Sequence, residues 1–308
     1  MIRPAALLAL PPLLTAWLLT PGTPDPAGPP AGAQDPQARG GTPAGFAEQW
    51  YRGEAELTRY ELHVDRYGEE RVGDAVLVFV TEDFLPDEQV KYEGGDPAGA
   101  GAVKVLKLNH LERFTTGIYD YSLMRSVFTP VDGAATLKVT ASVQDWCGHV
   151  WQQLNRRDGG WRYRLFSYFQ READRDARLA GALLEDEVWT RIRLRPDELP
   201  RGRVEVVPGS FDARLRHREP VVRKAEATLE DLDGDRRRYT LRYPDLDRSL
   251  AIEFEAAFPH RILGWEERWK EGGAARSARA RATNRLMSPY WSHHGVGDAP
   301  LRKQLGLR

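Results

Sequence analysis

The sequence predicts a mainly β protein, with a large antiparallel sheet or sheets in a curved or sandwich-like arrangement and a few short helices. Three observations lead there. Apolar and polar residues alternate over long stretches, as in Tyr60, Leu62 and Val64 or Trp161, Tyr163 and Leu165. Turn-forming clusters recur at short intervals, among them Asp158-Gly159-Gly160, Asp231-Leu232-Asp233-Gly234-Asp235 and Tyr243-Pro244-Asp245. Segments with a helical period are few.

The 308 residues, 41% hydrophobic and 10% aromatic, suffice for a real core in one large or two small domains. With 44 basic and 45 acidic side chains the net charge is -1, so no overall field favours nucleic acid, which is excluded as a partner class. Arg3, the apolar run Ala5 to Leu19 and the small residues Ala31-Gly32-Ala33 before Gln34 predict a secretory signal over 1–33. Pro11-Pro12 divides the apolar run, which is shorter than the ~20 residues a membrane-spanning helix needs. The expectation is export to the periplasm or medium with no transmembrane segment in the mature chain. No cysteine stands directly after the apolar run, so a lipoprotein is not expected. Residues 34–45 read as a disordered Pro/Gly/Ala-rich tether. The β-rich domain spans 46–308, with strand-rich halves at 46–171 and 188–283 joined by a helix.

A short helix at Phe46 to Arg52 brings Phe46, Trp50 and Tyr51 near one face. Strands follow at Thr58 to Asp65 and Ala75 to Thr81, divided by a turn near Gly68 and ended by Pro86. The Gly-rich loop Glu93 to Gly101 lacks the spacing of a phosphate-binding loop, and no other motif names a cofactor. Strands are expected at Val103 to Leu108 and Tyr119 to Phe128. Leu137 to Asn155 reads as one long half-buried strand, returning through the Asp158-Gly159-Gly160 turn into Trp161 to Phe169. Glu172 to Trp189 carries Leu179, Leu183, Leu184 and Val188 at helical spacing, so a helix is expected there, passing near its end into a strand at Val188 to Leu194. Further strands are predicted at Arg203 to Val207, Ala213 to His217, Val222 to Glu230, Arg238 to Tyr243, Ser249 to Phe254 and Ile262 to Trp269. Gly272 to Arg281 is a solvated edge or loop, and Leu301 to Leu307 a terminal helix.

The candidate chemistry sits in Asp145-Trp146-Cys147-Gly148-His149. Cys147 is the only cysteine, so no internal disulfide forms. On an extended strand Asp145, Cys147 and His149 share a face, and a thiol, an imidazole and an orienting carboxylate are the groups of nucleophilic catalysis. These three are the candidate catalytic residues of a cysteine-dependent enzyme; a buried, inert cysteine is the competing expectation. No metal site is expected. Cys-x-x-Cys and His-Glu-x-x-His are absent, His293-His294 reads as a solvated turn, and Asp231 to Asp235 does not fit a calcium loop. Acid pairs such as Glu185/Glu187 are expected by chance in a chain with 45 acidic side chains, and Gly-x-Ser-x-Gly is absent.

The aromatics Tyr119, Tyr121, Trp146 and Trp151 are the candidate ligand-binding residues, lining a β surface. The expected function is non-catalytic binding, or association with the cell envelope, with an apolar small molecule or an envelope protein as partner. Several segments, Val78-Phe79-Val80-Thr81-Glu82-Asp83-Phe84-Leu85-Pro86, Phe114-Thr115-Thr116-Gly117-Ile118-Tyr119 and Gln144-Asp145-Trp146-Cys147-Gly148-His149-Val150 among them, resemble an uncharacterised family of exported bacterial proteins. Some of its members carry the label septum formation inhibitor Maf, although the Ser-x-Ser-Pro-Arg-Arg motif of the Maf pyrophosphatases is missing from this chain. The resemblance extends through Leu301 to Leu307 and implies export; it carries over no activity and no site.

Overall fold

The computed structural model describes residues 45–307, so the expected signal peptide and nearly all of the tether lie outside the described residues. After helix α1 (Phe46–Trp50), one sheet contains every strand of the described residues. Its first arm holds β1 (Ala55–Arg66), β2 (Glu69–Leu85), β3 (Val90–Lys91), β4 (Val103–Thr116), β5 (Tyr119–Pro130), β6 (Lys138–Gln144), β7 (His149–Arg157), β8 (Gly160–Ser167) and β9 (Arg175–Leu179). A link follows, made of β10 (Leu183–Leu184), a 3-10 turn at Glu185–Glu187 and helix α2 (Val188–Leu194). The second arm holds β11 (Gly202–Val207), helix α3 (Ser210–Leu215), β12 (Arg223–Asp231), β13 (Arg236–Tyr243), β14 (Arg248–Glu255), β15 (Ile262–Glu271) and β16 (Ala274–Ser288), and helix α4 (Ala299–Gln304) comes last. The order is β10-β11-β12-β13-β14-β15-β16-β1-β2-β4-β5-β6-β7-β8-β9, with β3 beside β2. Every pairing is antiparallel except β10 with β11. The mainly β, antiparallel fold class is as the alternation predicts, and both arms share one sheet through β1 and β16.

The sheet is strongly curled. β5 and β14 stand six places apart in it, which on a flat sheet would be about 29 Å at ~4.8 Å per strand. Yet the neighbouring residues Glu185 and Asp186 grip Arg248 at the start of β14 and Arg125 on β5. The link between the arms therefore lies on the inner face. Trp189 of α2 meets His110 of β4 and Trp265 of β15, with ring centroids 5.1 and 5.0 Å apart. Arg193, one helical turn on, makes a two-pronged pair with Glu56 of β1 at 2.7 and 3.0 Å. The core is this inner face: Leu62, Leu77, Leu108, Leu123, Tyr239 and Ile252 are buried from successive strands, against Val188, Trp189 and Ile192 of the link.

Five local expectations are corrected. Glu172 to Trp189 is not a helix: Arg175 to Leu179 pairs with β8, because the free edge of β8 offers a ladder of backbone partners. Val188 to Leu194 is a helix rather than a strand, since it is sealed within the curl and buries residues on all sides, making its alternation uninformative. Leu137 to Asn155 is two strands, broken by a turn at 145–148. Ala213 to His217 likewise falls in α3 and its end, and Gly272 to Arg281 begins β16, a central strand.

Candidate functional site

Successive antiparallel strands place alternate connections at the same end of a sheet. In the first arm one end therefore collects the β1–β2, β4–β5, β6–β7 and β8–β9 turns, which close from the pairs Arg66↔Glu69, Thr116↔Tyr119, Gln144↔His149 and Leu165↔Arg175. Each turn carries a large apolar side chain that protrudes: Tyr67 is 58% exposed, Ile118 80%, Trp146 70% and Tyr168 71%. The turns adjoin one another. The Tyr67 and Tyr121 hydroxyls are 2.7 Å apart, the Tyr119 ring lies 5.8 Å from Tyr121 and 6.5 Å from Trp146, and the Tyr168 ring covers Gly148, where a Cβ would meet its Cδ1 at 2.6 Å. Phe169 continues the row to His217 at 4.5 Å. At the same end of the second arm the turns are Pro244–Asp247 and Gly272-Gly273, flanked by Lys270 and Glu271, and this half of the rim is polar.

Of the predicted binding residues, Tyr119, Tyr121 and Trp146 thus come together, with Tyr121 buried and stacked on Phe114 at 4.9 Å. Trp151 does not join them. It sits on the outer face of β7 against Phe166, 5.7 Å away, behind the rim.

The turn at 145–148 also takes apart the face that Asp145, Cys147 and His149 were expected to share. The strand stops at Gln144, and the Asp145 carboxylate accepts hydrogen bonds from the backbone N–H of Cys147 at 2.6 Å and Gly148 at 3.2 Å. It braces a turn rather than an imidazole. Cys147 is exposed, and the Asp145 charge pushes its thiol pKa up, opposite to the shift an activated nucleophile needs. His149, also exposed, opens β7 opposite Gln144.

Beneath the rim lies a polar cluster that the sequence reading missed. Arg248 binds Glu185 through two nitrogens at 2.5 and 2.7 Å, and its Nε lies 3.0 Å from Glu267 and 3.2 Å from Asp212. Tyr243 donates to Glu185 at 2.8 Å, and Arg216 bridges Asp212 and Glu267. Arg125 joins Asp186 at 2.6 Å, its guanidinium held between Trp189 and Phe211 at 4.9 and 4.8 Å. Asp186 also accepts from the backbone N–H of Ser210. These contacts fasten the link and α3 to both arms, and buried charges demand such pairing.

Burial raises the Glu112 carboxyl to about 7, with Glu267 adding to the rise and Arg125 opposing it. Burial would do the same to Glu267, but Arg248 and Arg216 outweigh it and hold that group ionised. His110 is driven well below the ordinary histidine range by burial and then by Arg125. Its Nε2 stands 3.0 Å from Glu112 Oε1 but off the hydrogen-bond line, and so lacks a hydrogen-bond partner. The cavity here, lined in part by Arg66, Tyr67, His110, Glu112 and Asp212, measures about 50 Å³, room for a few waters. Most of the inner face is filled by the protein's own side chains. Among the described residues no cluster of His, Cys, Asp or Glu is arranged to hold a metal, and no helix is long and apolar enough to cross a membrane.

The missed residues had a signal. Period two carried past Leu108 sets His110 and Glu112 on the face of Leu106, Leu108 and Phe114, so polar groups were due inside.

No family model matches the chain, and no curated protein matches it. Among solved structures, the chain is similar to the crystal structure of a β-barrel-like protein of the domain of unknown function DUF1849 from Brucella abortus. The identity is 10% and the TM-score 0.44, over 76% of this chain and 98% of that one.

Proposed function

We propose that this is an exported, non-catalytic protein that associates with the cell envelope through the apolar rim of its first arm. The observation that carries the reading is the row of Tyr67, Ile118, Trp146 and Tyr168 at the tips of adjoining hairpins, exposed while the inner face is closed. A contiguous exposed apolar patch on a folded domain marks a contact surface. Two further points support it. An apolar small molecule has no room on the inner face, where the residual space is small and ringed by charge, and this favours an envelope partner over a carried ligand. The raised thiol of Cys147 and the engagement of Asp145 with its own turn favour binding over cysteine chemistry. The predicted signal and the resemblance to exported bacterial proteins support the location.

The test compares the mature chain with the triple variant Ile118→Ser, Trp146→Ser, Tyr168→Ser on washed bacterial envelopes. The parent is expected to stay in the envelope pellet and the variant, at equal folded content by circular dichroism, to stay in the supernatant. Equal retention of the two overturns the reading.

A further inference from the structure

We propose that the partner of the rim is lipid itself: Ile118, Trp146 and Tyr168 enter the interfacial layer of a bilayer, an inference that rests on the envelope-binding reading above.

The shape of the rim favours a fluid partner over a protein. A protein interface is close-packed and complementary in shape. Here the row projects from the tips of adjoining hairpins, with Ile118 80% exposed and Tyr168 71%. Ile118, Trp146 and Tyr168 lie outside the cavity beneath the rim. A lipid surface accommodates protruding side chains without a matching groove.

Their chemistry points the same way. Indole and phenol rings combine an apolar body with a polar edge and collect at the boundary between hydrocarbon and water. Several polar groups near the tips are engaged by the protein itself. Arg66 donates to the Tyr121 hydroxyl at 3.0 Å and stacks over Tyr67, while Thr115 donates to Asp120 at 2.5 Å. Entry into a poorly hydrated layer also requires backbone groups that are already paired. The turn bearing Trp146 meets this, because Asp145 accepts from the N–H of both Cys147 and Gly148 and its own N–H donates to the Gly148 carbonyl at 3.1 Å. Cys147 at this tip enters as an uncharged thiol, since Asp145 raises its pKa.

Because the opposite half of the rim is polar, insertion involves only the first arm. Charges at and just behind the tips have both signs, with Glu69, Glu70, Asp120, Asp145 and Asp174 against Arg66, Arg71 and Arg171, so attraction to anionic lipid is not the driving term. Phosphatidylcholine vesicles should therefore bind the protein about as well as vesicles containing phosphatidylglycerol, and salt should have little effect.

The mature chain is tested by sedimentation with vesicles of each composition. A polarity-sensitive dye on Cys147, the only cysteine, reports on the tip. The expected result is binding to both compositions, a blue shift of the dye and its quenching by lipids labelled near the glycerol end of the acyl chain. Trp146→Ala and Ile118→Ser should each weaken vesicle binding about tenfold, from the apolar area removed, while Val296→Ser, at an exposed position outside the rim, leaves it unchanged. If envelopes retain the protein through the rim but neither vesicle binds it, the lipid proposal falls and the envelope reading stands. If envelopes do not retain it either, both fall. Vesicle binding undiminished in the triple variant also overturns the proposal.

Discussion

Arg125 Nη2 lies 2.8 Å from His110 Nδ1, and because a guanidinium can only donate, this contact fixes the imidazole as the neutral Nε2–H tautomer. Protonating Nδ1 would set two donors against each other inside an aromatic enclosure of Trp189, Phe211 and Trp265. His110 should accordingly stay neutral at pH values where exposed histidines have titrated, which nitrogen NMR of the imidazole would register. With a folded pKa below the unfolded one, its contribution to stability is present above the unfolded value near 6.5 and is lost as pH falls. An imidazole that titrates between pH 6 and 7 would contradict this arrangement.

Glu112 has the opposite linkage. Its folded carboxyl is raised from 4.5 to about 7, so the folded state holds a proton that the unfolded state has released between those values. The stabilisation is complete below about 4.5 and disappears as pH rises through about 7. Glu112→Gln keeps the neutral shape and removes the cost of ionisation. It is expected to match the parent at pH 4.5 and to exceed it by on the order of 2–3 kcal/mol at pH 8. Urea denaturation at both pH values checks this, and a variant equally less stable at both would show that Glu112 is needed in its ionised form.

How much of this was legible in the sequence depended on whether a residue's burial left a one-sided mark. β8 could be read because Trp161, Tyr163 and Leu165 are inside while Arg162 and Phe166 are outside. β16 was obscured for the converse reason. Its inward residues Ala280 and Ala282 are small because Trp265 and Tyr60, paired with them from the flanking strands, meet over it with ring centroids 4.8 Å apart. The apolar bulk of that part of the core is supplied by the neighbours. α2 hid for a third reason: enclosed on every side, Val188 to Leu194 has no polar face to set its period. At the rim, the density of aromatics near Tyr119 and Trp146 was visible, but their meeting depends on the sheet register. Asp-x-Cys-x-His misled because the same letters serve an extended strand and an Asp-braced turn.

Cys147 should behave as an accessible but sluggish thiol. It is exposed, and the Asp145 charge beside it disfavours the thiolate. Its reaction with a disulfide reagent at pH 7.5 should go to completion, more slowly than that of a free cysteine, and Asp145→Asn should speed it severalfold. Cys147→Ser should change stability by no more than about 0.5 kcal/mol, as at other exposed positions. A rate faster than that of free cysteine would restore the activated thiol.

Arg248 provides the most demanding test of the buried cluster, because one cation there serves Glu185, Glu267 and Asp212. Arg248→Met retains the apolar stem but leaves these carboxylates with Arg216, Arg218 and Tyr243 as their nearby partners. Breaking a buried pair in this way costs roughly 3–5 kcal/mol, and the loss should appear as a lower urea midpoint at pH 8. It should also depend on pH in a definite direction. Arg248 is the main influence holding the Glu267 pKa down, so without it that pKa rises and the carboxylate takes up a proton at milder acidity. The variant therefore recovers part of its deficit as pH falls toward 5, where the parent gains nothing from this group. A deficit of the same size at pH 5 and pH 8 would mean that Arg248 stabilises the curl through packing against Tyr243, 5.3 Å from its guanidinium, and not through charge.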